Sequence, residues 1–238
     1  IQPDVSLYDY ALDTTFENGD YTRSTLELAV DVANITDAEA NRTVRATVYD
    51  ANGAQVGEPM TAEVSVPAKS ADASQAATAT VELSQVFENP ELWSAETPNL
   101  YTIVFELRQD GKTVNAFARR FGFKEFVMRG QDGSGTSEMT INGKNVEFYG
   151  VAAHENSPKG GQYVPYEIIV QDIVNAKQMN INSIRTCHYP QSVHMMELCD
   201  EYGIYVMDEF NNETHNGRDG VNNDAYKIDP SLSSRDFG

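Results

Sequence analysis

The sequence predicts a multidomain fold. An all-β immunoglobulin-like sandwich occupies residues 1–125, followed over 126–238 by the N-terminal portion of a (β/α)8 TIM barrel. Three observations predict it. The first half alternates apolar and polar residues with period two and breaks at Asn-Gly and Asp-Gly turns. The second half changes to helical spacing between short apolar runs, the grammar of a parallel sheet with crossover helices. Ionisable and imidazole groups then gather just after those runs, where barrel active sites form.

In chain order, the strand-like region opens at Val5 and runs to about Phe126. Leu26, Leu28, Val30 and Val32 alternate with Thr25, Glu27, Ala29 and Asp31. Val44, Ala46 and Val48 end in the turn Asp50-Ala51-Asn52-Gly53, and Val64 and Val66 lead into Pro67. The Ala/Ser-rich stretch Lys69 to Ala79 reads as a loop or a soft strand edge, and Thr78 to Leu83 alternates again. Tyr101 to Leu107 and Val114 to Phe123 flank Asp110-Gly111. About seven strands in roughly 120 residues, with turns that favour antiparallel pairing, point to a sandwich.

After Phe126, Met139 to Ile141 and Val146 to Tyr149 read as a hairpin around Asn142-Gly143-Lys144. Gly150 to Ala153 begins the parallel pattern. Glu167 to Met179 has helical spacing, Asn182 to Cys187 is a strand, and Val193 to Tyr202 is a helix stopped by Gly203. Ile204 to Met207 is a continuous apolar run, as in a strand buried on both faces. No glycine-rich phosphate loop follows these strands, which argues against dinucleotide binding. A barrel needs roughly 250 residues. About 113 follow Glu125, so the barrel is expected to be unclosed within this chain.

The composition narrows the partners. With 40% hydrophobic residues in 238, a packed core is attainable, which argues against wholesale disorder. A net charge of −19 argues against nucleic acid, whose phosphates require clustered cations, and against anionic membrane surfaces. No run reaches membrane-spanning length, and no signal-peptide pattern is visible. Cys187 and Cys199 form neither a CxxC pair nor a zinc pattern and read as buried, inert thiols. They leave the compartment open; the Ala/Ser/Thr/Asp-rich sandwich slightly favours a secreted or surface location. Oligomeric state is not legible.

Each polar residue of the second half has a plain structural reading beside a functional one. His154 follows the first strand and can cap a loop or line a site. Arg185 can face a ligand or pair with Asp208 to close the end of the core. His188, before Tyr189-Pro190, can be a loop histidine, and His194 on a helix reads as structural. Asp208 and Glu209 are adjacent in extended chain, so they point to opposite faces and cannot together act as an acid/base pair. Glu213 and His215 are two apart, so both can face one ion. It is the clustering of three of the four histidines at strand ends that points to a site.

Several segments carry a family resemblance. They are Trp93-Ser94-Ala95-Glu96-Thr97-Pro98-Asn99-Leu100-Tyr101, Phe121-Gly122-Phe123, Ile141-Asn142-Gly143-Lys144 and Gly150-Val151 with His154-Glu155. Asn182 to Pro190 and Leu198 to Glu209 complete the set. Together they resemble glycoside hydrolase family 2, and Asn212-Glu213-Thr214-His215 resembles its β-galactosidases. The resemblance implies a retaining glycosidase acting on β-galactosides. In it His154 and His188 line the sugar pocket, Arg185 sits beside the nucleophile and keeps it ionised, and Asp208 belongs to the substrate site. It further implies Mg²⁺ held by Glu213 and His215, a thin set for an ion that prefers oxygen ligands, so a further carboxylate is required. Ala152-Ala153 stands where the family usually has Asn-Arg or Asn-Lys. The two catalytic glutamates, expected after the fourth and seventh strands, are absent from this chain. Three alternatives remain. They are a β-glucuronidase or β-mannosidase of the family, a noncatalytic carbohydrate-binding or adhesion module, and a metal hydrolase using His154, His188, Glu213 and His215.

Overall fold

Period-two burial turns the first half into strands. In β2 (Arg23–Asn34), Leu26, Leu28, Val30 and Val32 are buried while Glu27 faces solvent. The same pattern builds β1 (Val5–Phe16), β3 (Ala40–Tyr49), β4 (Gln55–Val66), β5 (Ala77–Glu88), β6 (Tyr101–Gln109) and β7 (Lys112–Phe121). The computed structural model describes residues 3–70, 74–129 and 138–210. The strands form two antiparallel sheets, β1-β2-β5 and β4-β3-β6-β7, that close on one another as an immunoglobulin-like sandwich. Their inner faces enclose Leu26, Leu28, Ile103, Phe105, Leu107 and Phe123. Burying each such side chain stabilises the fold by about 1.5–3 kcal/mol.

Two strands are longer than the periodicity predicts. β4 begins at Gln55, well before Val64, because its irregular part is absorbed by a bulge opposite Ala46 and Val48. Gly57 there adopts φ +70°, and Pro59 is tolerated because β4 is an edge strand. β5 begins at Ala77, inside the stretch expected to be loop, because β2 offers a register reaching Asn34↔Ala77.

A small antiparallel sheet follows, ordered β10-β9-β8, from β8 (Phe126–Arg129), β9 (Glu138–Ile141) and β10 (Lys144–Asn145). The expected hairpin is corrected here: its second arm is Lys144–Asn145, and Val146 to Tyr149 is not a strand. Asn182 captures that segment instead. Its side chain accepts from the Tyr149 N–H at 2.8 Å and donates to the Glu147 carbonyl at 2.8 Å.

The rest is a βαβαβ unit: β11 (Gly150–Ala153), α1 (Tyr166–Gln178), β12 (Ser183–Thr186), α2 (Val193–Tyr202) and β13 (Tyr205–Met207). The three strands pair in parallel in the order β11-β12-β13. Both helices cover one face, packing Ile169, Ile173, Met195, Leu198 and Cys199 over Ile184. Ser192 caps α2 by accepting from the Met195 N–H, and Gly203 ends it at φ +73°.

The two halves meet through Trp93. Its ring packs edge-on against Tyr205 with centroids 5.6 Å apart, and its indole N–H donates to the Asp200 carbonyl at 2.8 Å. Lys177 donates to the carbonyls of Ala95 and Gly203, both at 2.9 Å, and Asn142 donates to the Trp93 carbonyl at 3.0 Å. Gly122 is required beside this ring, since a Cβ there would lie 2.5 Å from the Trp93 Cβ. These contacts fix the parallel sheet on the sandwich.

Candidate active site

The register decides which side chains share a face. Ala152, Arg185 and Met207 are aligned across the three strands, one residue before the row that holds Ala153 and Thr186. Ile184 and Thr186 are buried toward the helices, whereas Arg185 and Met207 are exposed on the opposite face. Glu209 lies two residues beyond Met207 and therefore returns to the face of Arg185, while Asp208 falls on that of Thr186.

The contacts follow this parity. Arg185 Nε donates to Glu209 Oε1 in a close ion pair, which raises the guanidinium pKa. The expected alternative partner, Asp208, is thus corrected: its Oδ1 accepts from Thr186 Oγ1 at 2.8 Å and from the Glu209 N–H at 3.1 Å. Thr186 Oγ1 also accepts from that N–H at 2.9 Å. Thr186 is fully buried, so its hydroxyl is a fixed bolt between the ends of β12 and β13.

His154, one residue past β11, and His188, two past β12, come together at the same end of the sheet. Their rings pack edge-on with centroids 5.4 Å apart, and Tyr189 lies 6.0 Å from His154. His154 is exposed and His188 half-buried, so the pair opens to solvent. Glu155 points elsewhere. Its carboxylate accepts from the Ser192 N–H at 2.7 Å at the start of α2, an anion at a helix N-terminus. Gln191, itself buried, donates to the Ala153 carbonyl at 2.6 Å and holds the β11 end from below.

The strand ends therefore bring His154 against His188 and place Arg185 on the adjacent strand, with Glu209 as the partner of Arg185 and Asp208 in the supporting network. The sequence puts Glu209 at the strand ends without a partner and gives Thr186 no role; the register, by the parity of 185 and 209, supplies the pairing. His194 stands apart, edge-on to Tyr166 at 5.4 Å and 3.7 Å from Glu197. Glu213 and His215 lie outside the described residues. Among the described residues no group of three or more His, Cys, Asp or Glu side chains could hold a metal ion. A cleft of about 330 Å³ between β6, β7 and α2, bordered by Tyr10, Arg119, Met196 and Asp200, shares none of His154, Arg185 and His188 among its lining residues. Both cysteines are buried and free, and burial pushes the Cys199 thiol up to about 12.

A sandwich carries a parallel unit whose polar groups crowd the carboxyl ends of its strands, the end at which barrel folds build their sites. The profile described as "Glycosyl hydrolases family 2" matches residues 5–124, and "Glycosyl hydrolases family 2, TIM barrel domain" matches 135–234. The chain belongs to glycosyl hydrolases family 2. It is 36% identical over 217 residues to a beta-galactosidase of Priestia megaterium, covering 90% of this chain and 19% of that protein. It is 35% identical over 234 residues to a beta-galactosidase of Halalkalibacterium halodurans, covering 96% of this chain and 20% of that one. The chain thus spans about a fifth of the length of these curated relatives. Among solved structures, a Bacteroides uniformis beta-glucuronidase matches with a TM-score of 0.75 at 22% identity, over 88% of this chain and 24% of that one. A beta-glycosidase from Bacteroides vulgatus matches with a TM-score of 0.71 at 22% identity, over 87% of this chain and 24% of that one. At such identity these structures speak for the fold alone.

Proposed function

We propose that this chain forms the sandwich and the first strands of the (β/α)8 TIM barrel of a retaining glycosidase that cleaves terminal β-galactosides. The observation that carries the reading is the convergence of His154, His188 and Arg185 at the ends of adjacent parallel strands. The beta-galactosidase relatives support galactosides over other sugars.

In this reading His154 and His188 hydrogen-bond sugar hydroxyls as positive charge develops on the ring. Asp208 lies at the edge of the substrate site, and Arg185 offers its cation to the nucleophilic carboxylate, keeping it ionised. One glutamic acid protonates the leaving oxygen while a second, about 5–5.5 Å away, attacks the anomeric carbon. Neither glutamate is assigned among the strand ends described, so these 238 residues alone are expected to be inactive. Glu213 and His215 would hold Mg²⁺ together with a further carboxylate, since this hard ion prefers oxygen. A cation there would supply positive charge beside the sugar.

The test is turnover of nitrophenyl β-glycosides. The purified 238-residue chain is expected to release no nitrophenol, and robust turnover by it would overturn the assignment. A longer chain that includes the fourth and seventh strands is expected to prefer the galactoside. Preference for the glucuronide or mannoside would favour the sister activities. Sugar binding retained by residues 5–126 alone would favour a noncatalytic module.

A further inference from the structure

Thr186 is the residue whose chemistry exceeds what packing demands. A fully buried position on a parallel strand suits valine, which has the same shape. Here the hydroxyl instead makes two short hydrogen bonds beyond its own strand, besides a long contact with the Met207 carbonyl at 3.5 Å. It donates to Asp208 Oδ1 at 2.8 Å and accepts from the Glu209 N–H at 2.9 Å. The Glu209 N–H is shared with Asp208 Oδ1 at 3.1 Å, so the three groups close a small ring that fixes the backbone just past β13. That ring sets where the Glu209 carboxylate stands, and Glu209 engages Arg185 through Nε. Among the described residues, Nε is the guanidinium nitrogen so engaged. Among the described residues no hydrogen bond engages the two terminal amino groups, and the side chain is 45% exposed.

We propose that Thr186 is a positioning residue. Acting through Asp208 and Glu209, it clamps Arg185 by Nε so that its terminal amino groups present a fixed cationic fork to a carboxylate at the strand ends. A planar fork recognises carboxylate geometry only when its plane is fixed, which a long exposed side chain does not achieve by itself. The alternation that sends Arg185 to one face and Thr186 to the other lets one buried hydroxyl govern a cation on the far side of the sheet. The inference rests on the glycosidase reading for the identity of the carboxylate, but the clamp itself does not.

Two measurements separate these layers. In the 238-residue chain, ¹⁵N-NMR of the arginine Nε–H groups is expected to show a dispersed, slowly exchanging Arg185 signal, assigned by its loss in Arg185→Lys. Thr186→Val is expected to move it to the averaged position of free arginine, and Thr186→Ser to restore it. If Thr186→Val does not fold, Asp208→Ala, at an exposed position, is expected to release the signal equally. An unmoved Arg185 signal in a folded Thr186→Val or Asp208→Ala chain overturns the clamp. In a longer chain that cleaves nitrophenyl β-galactoside, Thr186→Val should lower kcat roughly ten- to a hundredfold with KM nearly unchanged. Its acidic limb should shift to higher pH, and Thr186→Ser should stay within about twofold of the parent. Unchanged kcat and limb in Thr186→Val would overturn the positioning role. Absence of galactosidase turnover in the unsubstituted longer chain, with the NMR signal behaving as expected, would instead sink the substrate reading and leave the clamp standing.

Discussion

The indole N–H of Trp93 donates to the main-chain carbonyl of Asp200 at 2.8 Å, fastening the loop before β6 to the last turn of α2. Trp93 is 3% exposed, packs against Tyr205 and carries Lys124 over its ring at 4.4 Å. Trp93→Ala should therefore cost about 3–5 kcal/mol, the range for deleting a large buried aromatic. Trp93→Phe should keep most of the packing and lose about 1 kcal/mol with the hydrogen bond. Urea unfolding followed by circular dichroism measures both. Equal midpoints for Trp93→Ala and the parent chain would refute the joint.

Gly203 provides a second check on the same joint. Its φ of +73° disfavours any side chain, and a Cβ would meet the Ala95 carbonyl at 2.4 Å. Gly53 has φ +80° with nothing near its missing Cβ. Gly53→Ala should cost about 1–2 kcal/mol from backbone handedness alone. Gly203→Ala should cost clearly more, because it also pushes the sandwich off the parallel unit. Thermal melts of the two variants side by side decide the order.

His154 and Glu155 are neighbours with opposite tasks. Glu155 accepts from Ser192 at the start of α2, so Glu155→Ala should lower stability by about 1 kcal/mol. His154 is exposed, and His154→Ala should leave stability within about 0.5 kcal/mol. The expected effect of His154→Ala is on sugar affinity in an active longer chain. A larger loss of stability from His154→Ala than from Glu155→Ala would reverse these roles.

The buried Cys199 thiol predicts an alkaline response. Burial lifts Cys199 from an ordinary 9.0 to about 12, and burial also raises Tyr101 and Tyr205. Each folded-state pKa lies above its unfolded value. The stability these groups contribute is complete below the ordinary values and is lost as pH rises through the folded ones. The urea midpoint should fall progressively above pH 9, less steeply in Cys199→Ala. A disulfide-exchange dye should label neither cysteine in the native chain at pH 8 and both after unfolding.

Much of the architecture was legible because burial is periodic. The alternation in Leu26 to Val32 and the spacing of Ile169, Ile173 and Ala176 reflect how strands and helices present side chains to a core. Where the chain departs from period, sequence reading fell short. Gly57 and Pro59 masked the first half of β4, and Asn182 drew Val146 to Tyr149 away from their hairpin. The site was partly legible, since His154, Arg185 and His188 all follow strands. The pairing of Arg185 was not, because Asp208 and Glu209 are adjacent in sequence and only the register between strands tells them apart.

By itself the sequence determined most of the elements and the family resemblance, since those rest on local periodicity and on unbroken motifs such as Asn182 to Pro190. Only the tertiary structure decided which groups meet. Parallel register, set by hydrogen bonds between strands far apart in the chain, put Glu209 on the face of Arg185 and Asp208 on that of Thr186. It also made Trp93 a joint between two halves, a task that a residue's type and neighbours in sequence do not specify.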